Sequence, residues 1–152
     1  MFRVREAQPD EMPRVEHFHK EVGYSSGLKP SDRLVVAEVD NALLGAHRLC
    51  TELGVFVLRG MRVRREVQRQ GIGTAMLDLA QKLVAHQPCY CIPYRHLSCF
   101  YGQVGFKEMA PDQAPAFLRQ RFELYRCSLQ LDVIIMRMDH GSLASAPESG
   151  AR

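Results

Sequence analysis

A transition from strand to helix in the middle of the chain constrains the fold more than any other feature. Residues 55–63 form an apolar run of strand length. From Gly71 the period changes, and one face of a predicted helix carries Ile72, Met76, Leu79, Ala80 and Leu83. The connecting segment reads Val63-Arg64-Arg65-Glu66-Val67-Gln68-Arg69-Gln70-Gly71-Ile72-Gly73-Thr74. Because a helix start presents free N–H groups and the positive end of the helix dipole, this glycine-containing segment predicts an anion site.

Gly-x-Gly at a helix start is weak evidence by itself, because many such turns use glycine for structural reasons only. Arg64, Arg65 and Arg69 favour the anion interpretation, since they add positive charge around the turn. Two kinds of nucleotide-binding loop are excluded. A dinucleotide fingerprint requires a third small residue where Met76 stands, and a Walker loop requires a lysine where Thr74 stands.

The first half of the chain is predicted to contain a helix and a hairpin besides this transition. Asp10 is expected to cap a helix that ends at Gly23 and has an apolar face. That face consists of Met12, Val15, Phe18 and Val22. Asp40-Asn41 separates two apolar runs and predicts a hairpin turn, and Gly60 predicts a bulge within its strand. Strands are predicted over residues 2–7, 34–39, 43–51 and 55–63.

The second half predicts an alternation of strands and helices. The central helix should end near Pro88, and Pro115 is expected in the first turn of a later helix. That helix carries Phe117, Leu118, Phe122 and Tyr125. A short helix is predicted over residues 97–104, and strands over residues 89–93, 105–109 and 131–138. The whole order indicates an α/β (α+β) class, with a mixed, mostly antiparallel central sheet of about seven strands flanked by helices. We expect one domain over residues 1–139 and a flexible tail over residues 140–152.

Two ordered motifs resemble the GNAT N-acetyltransferases. Val63 followed by Gln68-Arg69-Gln70-Gly71-Ile72-Gly73 is similar to the acetyl-CoA-binding motif of that family. Phe100-Tyr101-Gly102-Gln103-Val104-Gly105-Phe106 is similar to its second signature and follows with one predicted strand between them. The resemblance covers nearly the whole predicted domain. It implies the GNAT fold, in which the strand at residues 55–63 splays away from the strand at residues 89–93 at the coenzyme site.

The resemblance also implies a set of coenzyme-binding residues. Backbone groups near Met61 and Val63 would bind the pantetheine arm, and the amides from Gln68 to Thr74 would hold the pyrophosphate. The full set is Met61, Arg62, Val63, Gln68, Arg69, Gln70, Gly71, Ile72, Gly73, Thr74, Tyr94 and Tyr101. Two positions depart from the family pattern: Arg65 stands where proline is frequent, and Tyr94 stands where asparagine is frequent. The second departure puts one polar contact to the pantetheine in doubt.

The activity implied is transfer of an acetyl group from acetyl-CoA to a primary amine of a small molecule or protein, by direct attack and without a covalent enzyme intermediate. Tyr101 matches the family's proposed general acid, although it would also suit simple packing against the coenzyme. The base is open among Glu52, His96 and His47. The acceptor pocket is predicted to involve the region of residues 18–28 and an inserted segment, through Phe18, Phe117, Arg121 and Tyr125.

Several alternatives remain beside this interpretation. The first is a non-catalytic acyl-CoA-binding regulatory or interaction module of the same fold. A zinc site is disfavoured although His86, Cys89, Cys91, His96 and Cys99 lie close in sequence, because their spacing does not match paired zinc ligands on turns. Twenty basic and 17 acidic residues give too small an excess to indicate nucleic-acid or membrane binding. The five cysteines, an odd number, are expected to be reduced. A cytoplasmic location is expected, and the resemblance allows a homodimer.

Overall fold

The first half of the chain forms an antiparallel meander of four strands with one helix on each face. The computed structural model describes residues 1–25, 27–85 and 87–139. They cluster into two compact units, the first over Met1–Val84 and the second from Ala85 onward. The first unit contains β1 (Arg3–Glu6), α1 (Met12–Glu21), β2 (Arg33–Val39), β3 (Ala42–Glu52), β4 (Val55–Val63) and α2 (Ile72–Val84). Its strands pair in chain order, each antiparallel to the next.

Strand β2 is apolar along most of its length because both faces of the meander are covered. Leu34 and Val36 pack in one cluster with the α1 residue Phe18. Val35 and Ala37 point the other way and pack with the α2 residues, such as Met76. Alternate residues of one strand thus supply two cores, which is why β2 shows no alternation of polar and apolar residues.

The turns of this unit bear out most of the predicted boundaries. Asp40 and Asn41 both have positive φ, at 48° and 67°, which is the conformation of a two-residue hairpin turn that matches strand twist. Gly23 follows α1 with φ of 83°, so the predicted helix end is confirmed. The predicted cap at Asp10 is wrong. The chain makes a 3-10 turn before α1, and the carboxylate of Glu11 accepts the backbone N–H of Gln8 at 2.8 Å.

The second unit is built on three antiparallel strands. It contains β5 (Cys89–Cys91), α3 (Ser98–Gly102), β6 (Lys107–Met109), α4 (Ala116–Glu123) and β7 (Ile135–Met138), with β7 paired to both other strands. The helix predicted after Pro115 is α4; Pro115 occupies the N-cap position rather than lying in the first turn. A π-helical turn over Leu124–Ser128 continues α4 and includes Tyr125.

The last strand begins four residues later than the predicted start at Leu131, and Pro93 explains the difference. The pairs Cys91 with Met136 and Tyr94 with Val133 belong to one register, yet the second is only an isolated bridge. Between them lies Pro93, whose missing N–H removes a rung of the ladder. The Pro93 carbonyl still accepts a hydrogen bond, from Ile134 N at 3.0 Å.

The described residues therefore show seven strands, all antiparallel within their units, together with helices, and the predicted class is confirmed. Cys50, Cys89 and Cys91 are buried free thiols, whereas Cys99 is an exposed one. No helix in the described part of the chain has the length and apolar character needed to cross a membrane. The predicted tail at residues 140–152 lies outside the described residues.

Candidate functional site

The segment between β4 and α2 is held in a defined turn. Arg64 N donates to Leu44 O at 2.8 Å, which ties the end of β4 to β3. The following residues make a 3-10 turn over Arg65–Val67. The side-chain amide of Gln68 then donates back to Val63 O at 3.0 Å. The turn is thus closed by its own hydrogen bonds before the helix begins.

Two left-handed residues lie at the start of α2. Arg69 has φ of 66° and Gly71 has φ of 86°. The first hydrogen bond of the helix runs from Ala75 N to Gly71 O at 3.0 Å. The N–H groups of Gly71, Ile72 and Gly73 precede it and have no acceptor inside the helix. A Cβ added at Gly71 would have nothing within 4 Å, so the turn is open on that side. This combination of free N–H groups and open space fits a phosphate.

Two of the three arginines predicted around this turn retain an uncompensated charge. Arg65 and Arg69 are exposed and have no acidic partner among residues 1–25, 27–85 and 87–139. Arg64 differs, because it donates to Glu21 at 2.8 Å and to Leu43 O at 2.7 Å. The prediction that Arg64 adds charge to the turn is therefore wrong; its guanidinium fastens the turn to α1 and β3.

The helix that carries the turn is packed tightly against β3. A Cβ added at Gly45 would lie 2.9 Å from Met76 Cε and 3.0 Å from Arg62 O, so this glycine permits the close approach. His47 Nε2 lies 3.3 Å from Met76 O, inside the core. The start of α2 is consequently positioned by residues of β3 as well as by the turn.

Strand β4 contains the predicted bulge at Gly60. Pairing with β3 shifts between Ala46 and Arg48, so that Gly60 and Met61 together lie opposite His47. Gly60 has φ of 69°, and a Cβ there would lie 2.8 Å from Tyr24 Cε2. Only glycine satisfies both the backbone angle and the contact with this ring.

A buried polar cluster supports the bulge, and sequence reasoning did not identify it. His19 Nε2 lies 3.2 Å from Gly60 O, and the His19 ring meets the Tyr24 ring edge-on at 4.8 Å. Arg48 pairs with Asp32 at 3.1 Å, and these side chains are only 5% and 2% exposed. Desolvation, aided by nearby positive charge, lowers the pKa of His19 to about 4, so the ring is neutral at pH 7. The signal available in the sequence was a pair of polar residues, 47 and 48, inside an apolar strand.

The predicted general acid lies in the second unit. Tyr101 is on α3 and is 6% exposed, with its ring edge-on to Phe100 at 5.0 Å and to Phe106 at 5.9 Å. Tyr94 is 43% exposed, and its ring stacks on His96 at 5.7 Å. The signature residues 100, 101 and 106 therefore form one aromatic group that orients the Tyr101 ring.

The three candidate bases occupy different environments. Glu52 ends β3 and pairs with Arg59 at 3.6 Å. His96 is exposed. His47 is completely buried, and desolvation lowers its pKa to about 4. A ring enclosed in this way cannot exchange a proton with a bound amine, which removes His47 from the candidates.

Among the predicted acceptor residues, Phe18 belongs to the core. It is 1% exposed and packs with Val15 and Leu34, so it does not line an open pocket. In the second unit, the Arg121 guanidinium lies 5.7 Å from the Phe117 ring centroid. Tyr125 lies one turn further, in the π-helical segment.

The described part of the chain contains no group of three or more His, Cys, Asp or Glu residues arranged to hold a metal ion. Cys89 and Cys91 are buried in β5, and burial raises the pKa of the Cys91 thiol. His86, which was weighed as a zinc ligand, lies outside the described residues.

Solved structures with the same fold cover nearly the whole chain. The protein matches Escherichia coli ElaA at 13% identity over 91% of this chain and 100% of that one, with a TM-score of 0.68. It matches an acetyltransferase of the GNAT family from Staphylococcus aureus at 13% identity over 92% and 99% of the two chains, with a TM-score of 0.63.

A further match is N-acetylglutamate synthase from Neisseria gonorrhoeae, complexed with coenzyme A and N-acetyl-glutamate. The identity is 14% over 91% of this chain, with a TM-score of 0.65. The present chain spans only 35% of the length of that enzyme. No curated protein sequence matches the chain.

The decisive comparison is with a family model described as an acetyltransferase (GNAT) domain. It matches residues 30–108, and these include both sequence motifs. The matched stretch is just over half of the 152 residues. The protein belongs to the GNAT acetyltransferase family.

Proposed function

We propose that the protein transfers an acetyl group from acetyl-CoA to a primary amine of a small molecule or protein, by direct attack and without a covalent enzyme intermediate. The observation that carries this proposal is the turn before α2, where free amides, a left-handed glycine and two uncompensated arginines occur together. Membership in the family supports the same chemistry.

The coenzyme would bind through the first unit with little rearrangement. Within the predicted range from Gln68 to Thr74, the amides of Gly71, Ile72 and Gly73 would hold the pyrophosphate, because Gln68 N already donates to Arg65 O at 3.3 Å. Arg65 and Arg69 would add charge, and the backbone from Met61 to Val63 would bind the pantetheine arm. When bound, acetyl-CoA supplies an activated acyl group as a thioester. The binding residues are preorganised because the turn and the bulge are each fixed by hydrogen bonds within the protein.

The reaction requires two proton movements around one bond exchange. The neutral amine nitrogen attacks the thioester carbonyl, a C–N bond forms, and the C–S bond breaks. The amine loses one proton and the departing thiolate gains one. We assign the second transfer to the Tyr101 hydroxyl. A phenol, with an ordinary pKa of about 10, serves only when it is well placed, and the edge-on contacts with Phe100 and Phe106 hold the ring in one orientation.

The amine must also lose a proton, and two candidates remain for this step. Glu52 lies at the end of β3, 3.6 Å from Arg59. His96 is exposed, and imidazole is the side chain most used for proton transfer at neutral pH. Either group would act directly or through a water molecule.

Calorimetry with CoA and a thiol-release assay test the proposal at separate levels. Wild-type protein should bind CoA and release thiol from acetyl-CoA in the presence of an accepted amine. Tyr101→Phe should still bind CoA, because the ring is retained, and should lose at least about tenfold in kcat, because the proton donor is removed. Absence of CoA binding would refute the proposal. CoA binding without turnover over a broad amine panel would favour a non-catalytic acyl-CoA-binding module.

Three other expectations stay predictions: a single GNAT domain over residues 1–139, a cytoplasmic location and a homodimer. The solubility of the full chain bears on the single domain. Its fractionation in cells tests the location, and its mass in solution tests the homodimer.

A further inference from the structure

Arginine side chains crowd one face of β3 and β4, and all but one of them have an acidic partner. Arg48 pairs with Asp32 at 3.1 Å, and Arg59 pairs with Glu52 at 3.6 Å. Arg62 has no acidic partner in the described part of the chain. The positive charge of Arg62 is therefore the one arginine charge on this face that no acidic side chain among the described residues neutralises.

The Arg62 guanidinium is held in place but uses few of its donors. It lies over the Tyr24 ring, 4.5 Å from the centroid, and Nη1 donates to Met61 O at 2.9 Å. The remaining N–H groups have no acceptor among the described residues. A guanidinium presents five donors in a planar fork that matches a carboxylate in two-point geometry. A fixed, half-buried fork with unused donors is suited to an oxyanion.

The ring beneath this guanidinium is fixed from several sides. Tyr24 N donates to His19 O at 2.8 Å, and the His19 ring meets the Tyr24 ring edge-on. Arg48 Nη2 lies 3.5 Å from the Tyr24 hydroxyl. Gly60 permits the close approach of the ring to β4, because any Cβ there would collide with it. Tyr24 therefore provides a rigid platform rather than a mobile surface ring.

The net charge of the cluster defines the ligand further. The Arg48 and Asp32 charges cancel, and His19 is neutral because burial lowers its pKa to about 4. Arg62 then leaves one net positive charge beside the bulge, which complements a single carboxylate. A cationic or polyamine acceptor would be repelled from this position.

We propose that Arg62, on its Tyr24 platform, binds the carboxylate of the acetyl acceptor, so that the substrate class is a small amine that carries a carboxylate. This inference rests on the proposed function. It places the acceptor beside Met61, whose backbone is assigned to the pantetheine arm, and so brings the amine to the reactive end of the coenzyme. Arg62 thereby acts as a specificity residue through its side chain, while its backbone belongs to the coenzyme site.

Matched acceptors test the proposal directly. The probes are glycine, glutamate, phenylalanine and lysine, each with its primary α-carboxamide, in the acetyl-CoA thiol-release assay. We expect the accepted amines to be carboxylates, with kcat/KM about 10- to 100-fold above the matched carboxamide, as a charged hydrogen-bond pair would give. Arg62→Gln should remove this discrimination mainly through KM, Arg62→Lys should retain part of it, and CoA affinity should not change in either variant.

Variants of the platform separate recognition from folding. Tyr24→Phe retains the ring and should retain the discrimination, whereas Tyr24→Leu should lose it. Lys107→Gln removes an equal charge from β6 and serves as the control. Preference for the carboxamides, no turnover with any of the eight probes although CoA binds, or a parallel loss of CoA affinity in Arg62→Gln would each overturn the proposal. Loss of CoA binding by the wild type would instead refute the proposed function.

Discussion

Two buried histidines should make the first unit sensitive to mild acid. His19 and His47 are both 0% exposed, and each Nε2 faces a carbonyl oxygen, of Gly60 at 3.2 Å and of Met76 at 3.3 Å. A carbonyl only accepts hydrogen bonds, so in each neutral ring the proton lies on Nε2. Nδ1 has no partner among the described residues in either ring. Protonation would therefore place an unpaired charge in the core.

The size of the effect follows from the shift in pKa. Desolvation lowers both values from 6.5 to about 4 in the folded protein. The unfolded chain consequently binds more protons between these limits, so the stability is complete above pH 6.5 and is lost as the pH falls toward 4. At pH 5 each histidine should cost about 2 kcal/mol, and the pair about 4 kcal/mol, of the 5–15 kcal/mol typical of a domain. Glu11 and Glu38, whose arginine partners lower their pKa values to about 2, add a separate loss only below about pH 4.5.

Urea unfolding between pH 5 and 8 measures this dependence. Near pH 5.5 the slope of the unfolding free energy against pH should correspond to an uptake of nearly two protons by the wild type. His47→Gln keeps a donor for Met76 O and should reduce the uptake to about one, whatever its effect on stability at pH 8. His17→Gln, on the exposed side of α1, is the matched control. A wild-type uptake below one proton, or an unchanged slope in His47→Gln, would refute the reasoning.

Two further predictions concern glycine and arginine positions of the proposed coenzyme site. Gly60→Ala should destabilise the protein by at least about 2 kcal/mol, because the new Cβ meets the Tyr24 ring. Gly54 has φ of 85°, but a Cβ there would have no atom within 4 Å, so Gly54→Ala should destabilise the protein by only about 1 kcal/mol. Urea titration of both variants therefore isolates the contribution of the contact with Tyr24. Arg65→Gln and Arg69→Gln should each weaken CoA binding severalfold and lower its salt dependence in calorimetry, without changing the thermal midpoint. If the variants bind CoA with the same affinity as the wild type at every salt concentration, that role is contradicted.

Short sequence patterns were enough to predict the strand and the helix that carry the candidate site. The bounds of β4 agree with prediction at both ends, and α2 starts one residue after the predicted Gly71. These elements were visible because a β-branched run, a glycine turn and a 3.6-residue period follow one another without interruption. Gly60 indicated the bulge, and Gly71 indicated the helix start.

The parts that were missed depend on contacts between distant residues. His19 meets Gly60 across 41 positions, and Arg48 meets Asp32 only because β3 pairs beside the loop before β2. The late start of β7 depends on Pro93, which pairs with Ile134 across the sheet and is distant from it in the sequence. The periodicity of apolar residues indicates which face of a helix or strand is buried. It does not indicate which polar group of another element lies against a given polar side chain.

The bulge at Gly60 explains how one strand could serve both the proposed coenzyme site and the proposed acceptor. Before it, Arg59 lies opposite Arg48, on the α1 face of the meander. In a regular strand Arg62, three residues later, would point to the α2 face. The bulge adds one residue and reverses the alternation, so that Arg62 joins Arg59 on the α1 face while Met61 packs toward α2. The orientation of the Arg62 guanidinium and the packing of Met61 are thus consequences of a single inserted residue, and that residue must be glycine because Tyr24 lies against it.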